Sequence, residues 1–163
     1  MSEFKWPLFV FGTLMDSDVL QIVSGMAVSE LTLQPAVVNG FKRRLVRGES
    51  FPMLVAAPED SVNGVLVHGL TDEALQRAQF FEGEEYALKQ ICVSGLPESH
   101  TSIPCVGETE AVYFADNAVY QLQDEDWSIR HWQADKKTEF LLRLARYMEF
   151  FGELTAAEAD QHW

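Results

Sequence analysis

Two short stretches of this chain hold residues whose types and spacing suit chemistry. One is Phe80-Phe81-Glu82-Gly83-Glu84-Glu85-Tyr86, where an acid follows two aromatics and precedes a glycine. A helix ending at that glycine puts Glu82 at the negative end of its dipole, and apolar neighbours disfavour its charge further. Both effects push the carboxyl up toward the range in which a general base or acid works. Glu84 and Glu85 read as solvated. The other stretch is Leu8-Phe9-Val10-Phe11-Gly12-Thr13-Leu14, in which four apolar strand-formers run into a glycine and a threonine. A strand that turns there toward a helix start at Asp16-Ser17-Asp18 points successive N–H groups outward, which suits a carboxylate or phosphate. Glycine lets a ligand approach the backbone closely, and the Thr13 hydroxyl adds an adaptable donor or acceptor. The same residues also read as a buried first strand with an ordinary turn, and Glu82 as a solvated helix end.

These side chains need elements to hold them. Val19, Leu20, Ile22 and Val23 share one helical face and Ser24-Gly25 supplies a stop, so 16–24 reads as a short helix. From 34 to 70 the texture is that of short strands. Asn39-Gly40 reads as a hairpin turn, residues 47–50 as a second turn and Pro58-Glu59-Asp60 as a third. Two glycines in 62–70 predict a bulge or a close backbone approach. Thr71 caps a helix whose apolar face is Ala74, Leu75, Ala78 and Phe81, and Gly83 ends it as a left-handed cap. Residues 86–93 and 111–115 read as strands joined by a loop rich in Pro, Ser, Gly and Thr. Residues 116–133 read as irregular, with Asp124-Glu125-Asp126 as a solvated run. Asp135 caps the longest helix, about 136–151, and the acidic, alanine-rich 153–163 frays.

Length and composition bound the function. One α+β domain spans 1–163, with its core at about 7–115, and 47% hydrophobic against 23% charged residues is ordinary for a folded protein. A net charge of −13 argues against nucleic acid and against an anionic membrane surface. The one basic cluster, Lys42-Arg43-Arg44 with Arg47, reads as a solvated strand face. Cys92 and Cys105 are too few for a disulfide framework or a thiolate zinc site, and the four histidines show no ligand spacing. The N-terminus carries no signal-peptide pattern and no run approaches the ~18 apolar residues of a membrane span. A cytoplasmic setting with reduced thiols follows as the expectation. Nothing in the sequence speaks to oligomeric state.

The order of the motifs adds to this. FGTLM at 11–15, Phe51-Pro52-Met53, Val62-Asn63-Gly64, and Phe81-Glu82-Gly83 with Tyr86 resemble the gamma-glutamylcyclotransferase-like (avirulence-induced-gene) family, whose pattern runs YGTL, YPA, a VxG strand and fEgxxY. The resemblance covers about residues 7–115. It implies a small mixed β-barrel with flanking helices and a cavity at one end. It also implies that Phe11, Gly12, Thr13 and Leu14 hold the free amino-acid end of a γ-glutamyl group, that Tyr86 lies beside the substrate, and that Glu82 is catalytic. In the implied reaction Glu82 takes a proton from the substrate α-amine, which attacks the γ-carbonyl of the same glutamyl group. The products are 5-oxoproline and a free amine or amino acid, an acyl transfer of lyase type that needs no metal or organic cofactor. The partner is then a small γ-glutamyl amine or peptide.

Several positions depart from the pattern. Phe11 and Phe51 stand where tyrosine is usual, Ala78-Gln79 where Leu-Asp is frequent, and Leu88 where arginine is common. They keep a second reading open, a non-catalytic ligand-binding or regulatory domain on the same scaffold. Beyond 115 the fit loosens, and Trp127, Trp132 and Trp163 read as a cover for the barrel mouth or as a partner surface.

Overall fold

A first strand buried on both faces sets the architecture. In β1 (Leu8–Val10) all three residues are buried. Phe9 joins Ala36, Val38, Val62, Leu66, Ile91 and Val93 in one apolar cluster, whereas Leu8 and Val10 join a second cluster built with the helices. Successive strand side chains point to opposite faces, so a strand apolar at every position belongs between a barrel and its helical cover. A computed structural model of the chain shows this arrangement and describes residues 6–49, 51–83, 86–95, 109–116 and 122–163.

Five strands close into a mixed barrel in the order β1-β3-β2-β4-β5, with β2 at Thr32–Leu45, β3 at Pro52–His68, β4 at Tyr86–Gly95 and β5 at Thr109–Asp116. β1 pairs antiparallel with β3 (Phe9 opposite Leu66) and parallel with β5 (Leu8 opposite Val112). Among the described residues five α-helices flank the barrel: α1 (Ser17–Ser24), α2 (Asp72–Glu82), α3 (Ile129–Asp135), α4 (Lys137–Met148) and α5 (Ala156–Asp160).

Several expectations change in the structure. Asn39-Gly40 is no hairpin: β2 runs straight through it, and Gly40 (φ 90°) marks a register shift between Asn39, opposite Ser61, and Phe41, opposite Ala56. Residues 57–60 fall in that same slip, so the proline turn expected there is absorbed as an irregularity within β3. The turn expected at 47–50 is where the chain reverses, near Gly48 at φ 82°. The close backbone approach expected in 62–70 is present at Gly64, where a Cβ would lie 2.4 Å from the Val10 carbonyl oxygen and 2.6 Å from Phe9 Cζ.

Both cap assignments on the early helices hold in outline. Asp16 accepts from Asp18 and Val19 N–H groups at the head of α1, and Thr71 accepts from Ala74 N–H at the head of α2. Gly25 ends α1 in the left-handed region. Gly83 ends α2 at φ 98° and ψ 176°, a positive-φ exit outside the left-handed helical region.

The C-terminal part is more ordered than its texture suggests. The helix expected at about 136–151 is present as α4, and a further helix, α3, precedes it inside the stretch read as irregular, with Lys136 between them. Asp135 is the last residue of α3 and does not cap α4. The tail holds α5 in place of fraying, because Thr155 and Glu158 form a reciprocal capping box and Ala159 is fully buried. Cys92 is disulfide-bonded, against the expectation of reduced thiols. Cys105, Glu84, Glu85 and the loop between β4 and β5 lie outside the described residues. Among the described residues no helix is long and apolar enough to cross a membrane.

Candidate active site

The barrel opens where β1 ends. Beyond Phe11, Gly12 leads a 3-10 turn over Thr13–Met15 in which Met15 N–H donates to Gly12 O and Asp16 N–H to Thr13 O, both at 3.0 Å. Amides at the head of such a turn have no partner within it, so Gly12, Thr13 and Leu14 can present N–H groups to a ligand. A Cβ on Gly12 would stand 3.4 Å from Pro52 Cδ, which puts the Pro52 ring behind this loop and gives the Phe51-Pro52 motif its place.

A cavity of about 1130 Å³ spreads from this loop. Phe11, Gly12, Thr13, Leu14, Glu82 and Tyr86 all line it, so the sequence-derived site residues meet at one place. Glu82 is the last residue of α2 and Tyr86 the first of β4, with the cap glycine Gly83 between them also in the wall. A smaller cavity of about 140 Å³ adjoins, sharing Phe11, Pro52 and Tyr86 and adding Tyr113, whose phenol burial pushes up. Tyr113 stands edge-on to Phe11, with ring centroids 6.5 Å apart.

Three devices fix the loop and the acid relative to each other. Arg43, on β2, donates through its guanidinium to Phe11 O (2.8 Å) and Asn63 O (3.2 Å) and pairs with Asp126 at 2.7 Å. Its side chain is only 13% exposed, against the solvated strand face expected of it, whereas Asp126, at 56%, keeps the solvation expected of the acidic run while it pairs. Asp16 is buried and accepts from Gln133 (2.8 Å) and the Lys137 ammonium (2.9 Å), which ties the head of α1 to α3 and α4. Burial alone pushes its carboxyl up, but hydrogen bonds from Lys137, Gln133 and Val19 outweigh that and hold it below the ordinary aspartate value. Lys137 in turn is raised, by Asp18 and then Asp16. Finally, Tyr147 Oη donates to Phe80 O at 2.6 Å and pins the C-terminal turn of α2, from which Glu82 projects.

The far wall is aromatic and comes from the C-terminal helices. Phe140 sits between Trp132 (5.1 Å), Trp163 (5.2 Å) and Phe81 (6.3 Å), all edge-to-face. Trp127, Trp132 and Trp163 all line the cavity, so the expected cover of the barrel mouth is their place. Sequence reading missed Tyr147 and Phe140 as site residues. Their helical spacing announced a packing face, which they also are. Among the described residues, no group of three or more His, Cys, Asp or Glu side chains could hold a metal ion.

The model of the gamma-glutamyl cyclotransferase, AIG2-like family matches residues 8–133. The chain belongs to that family. Its relatives include AIG2-like protein C of Arabidopsis thaliana, 23% identical over 149 residues that span 88% of this chain and 78% of the relative. An Arabidopsis thaliana protein solved in solution superposes with a TM-score of 0.61 at 18% identity, covering 94% of this chain and 88% of its own. A solved gamma-glutamyl cyclotransferase superposes at 0.54, with 12% identity and 85% of each chain covered. At such identities the superpositions establish a common barrel. The AIG2-like match itself spans both β1 with its loop and the α2 end that carries Glu82.

Proposed function

We propose that the chain is a gamma-glutamyl cyclotransferase that releases 5-oxoproline from a γ-glutamyl amine or peptide, with Glu82 as general base and then general acid. The observation that carries this reading is the convergence of Glu82, Tyr86 and the 11–14 loop on one cavity. The loop amides take the α-carboxylate of the glutamyl unit. Glu82 removes a proton from its α-amine, the nitrogen attacks the γ-carbonyl of the same unit, and the resulting oxyanion is met by backbone N–H groups. Collapse breaks the γ-amide bond, and Glu82 returns the proton to the departing amine. No water is consumed. Nucleophile and electrophile share one molecule, so the site chiefly holds a curled conformer and effective molarity supplies much of the acceleration.

A cytoplasmic setting and a small-molecule partner belong to the same proposal. Incubation with a panel of γ-glutamyl amines and peptides, followed by mass spectrometry for 5-oxoproline, tests it. Release from at least one compound supports the reading. Binding without release points to a ligand-binding domain on the same scaffold, the reading favoured by the missing hydroxyl at Phe11.

A further inference from the structure

We infer that the leaving group this cavity accepts is an arylalkylamine without a carboxylate, held against the C-terminal aromatic wall; the inference rests on the proposed γ-glutamyl chemistry at Glu82. Three observations carry it. First, about 1130 Å³ exceeds the ~300–1,000 Å³ of a typical ligand cleft and far exceeds what a glutamyl unit fills. The space beyond Glu82 is therefore shaped for whatever the γ-carbonyl is attached to.

Second, that space is lined by rings. Phe81, Trp132 and Trp163 each stand edge-to-face to Phe140, and Trp163 is 38% exposed although it packs against both Phe140 and Tyr147. A planar ring completes such a set with favourable edge and face contacts. Trp132 adds an unmet need. Its side chain is almost wholly buried and lines the cavity, yet among the described residues its indole N–H has no hydrogen-bond partner. Buried polar groups are normally paired, so an acceptor borne by a ligand would satisfy it.

Third, the charge is one-sided. Among the described residues, Glu49, Glu82, Glu125, Asp126, Asp135, Glu139 and Asp160 share the cavity walls with only Lys136 and Arg143 as Lys or Arg cations, and Arg143 is already engaged by Glu139 at 3.0 Å. On a chain of net charge −13, a second carboxylate on the leaving group would meet repulsion. Amino acids and peptides carry one there; simple arylalkylamines do not.

Three probes separate the ring from the carboxylate: γ-glutamyl-phenethylamine, γ-glutamyl-phenylalanine and γ-glutamyl-ethylamine. Affinity is read by calorimetry on the Glu82→Gln chain, where the ligand is not consumed, and 5-oxoproline release is read on the wild type. The phenethylamine conjugate is expected to bind about 10- to 100-fold tighter than the ethylamine conjugate, the worth of burying one phenyl group. It is expected to bind roughly tenfold tighter than the phenylalanine conjugate, with that second gap shrinking at high salt. Trp163→Ala and Phe140→Leu should each cut the phenethylamine-to-ethylamine ratio several-fold. Equal affinity for the three probes, with turnover, overturns the inference and leaves the cyclotransferase reading intact. The predicted order without turnover of any probe keeps the aromatic subsite and removes the catalytic reading. Neither binding nor turnover overturns both.

Discussion

Replacing Gly64 with alanine probes the contact that seats the site loop. The Cβ it adds would fall 2.4 Å from Val10 O and within 2.7 Å of two Phe9 ring carbons. The ring can turn, but the carbonyl belongs to β1, which is held by β3 on one side and β5 on the other. Overpacking of this kind is worth roughly 1–3 kcal/mol, and a backbone contact places it near the upper figure. The smaller unfolded-state entropy of alanine returns only about 0.4–1 kcal/mol. A net loss of about 2 kcal/mol in a domain of this length lowers Tm by roughly 4–8 °C. Because Val10 precedes Phe11 and Gly12, displacement of β1 should also raise KM for a γ-glutamyl substrate. The assay is a thermal melt by circular dichroism beside 5-oxoproline kinetics. Adding Phe9→Leu separates the causes: it should recover little, since the carbonyl contact stays. Gly152→Ala, at φ 86° with open space around it and away from the cavity lining, is the control for backbone conformation alone and should lose about 1 kcal/mol with unchanged KM. A Gly64→Ala chain that melts within a degree or two of wild type, or one restored by Phe9→Leu, refutes the argument.

Other perturbations follow from the same geometry. Glu82→Gln keeps shape and removes the proton acceptor, so turnover should fall roughly 10²–10⁴-fold with a near-native melt; full activity in a folded variant removes Glu82 from the mechanism. Tyr147→Phe deletes the 2.6 Å bond to Phe80 O and should lose about 1 kcal/mol by urea titration and lower kcat more than it raises KM. For Asp16, a folded-state pKa below the ordinary 3.8 means its contribution is present above that value and is lost as pH falls through the folded pKa. Asp16→Asn should therefore cost about 1–2 kcal/mol at neutral pH, a difference that closes on acidification below about pH 4 in melts taken across the pH range.

Local signals in the sequence were strongest where one residue type answers one local demand. Asp16, Thr71 and Gly25 announced helix ends because caps are read within three or four residues. Gly64 announced a close approach because only a missing side chain admits the Val10 carbonyl. Gly40 misled for the same local reason. A positive φ serves a hairpin turn or a bulge equally, and the choice was made by 14- and 17-residue strands that pair across it. The acidic run at 124–126 and the basic run at 42–44 each read as solvated, because neither reveals that Arg43 and Asp126, 83 residues apart, meet. Long-range pairs of this kind leave no periodicity.

That distinction explains how the site divides. The half that touches the reacting glutamyl group in the proposed reaction lies within two compact motifs, 11–14 and 81–86, and was legible as chemistry. Its other half is spread over α3, α4 and the tail, and reads as helix packing, because Phe140 and Tyr147 serve the core and the cavity at once. What joins the halves is polar. Asp16 binds Lys137 and Gln133, Arg43 binds Asp126, and Tyr147 binds the end of α2. Each link runs between the barrel side, which presents the loop and Glu82, and the C-terminal cover, which shapes the space beyond them. Directional bonds hold that register more sharply than apolar contact alone, since a ring tolerates sliding where a 2.6–2.9 Å hydrogen bond does not. In the proposed reaction, a change in the aromatic surface of the cover would therefore alter the leaving group accepted while the glutamyl end stays fixed.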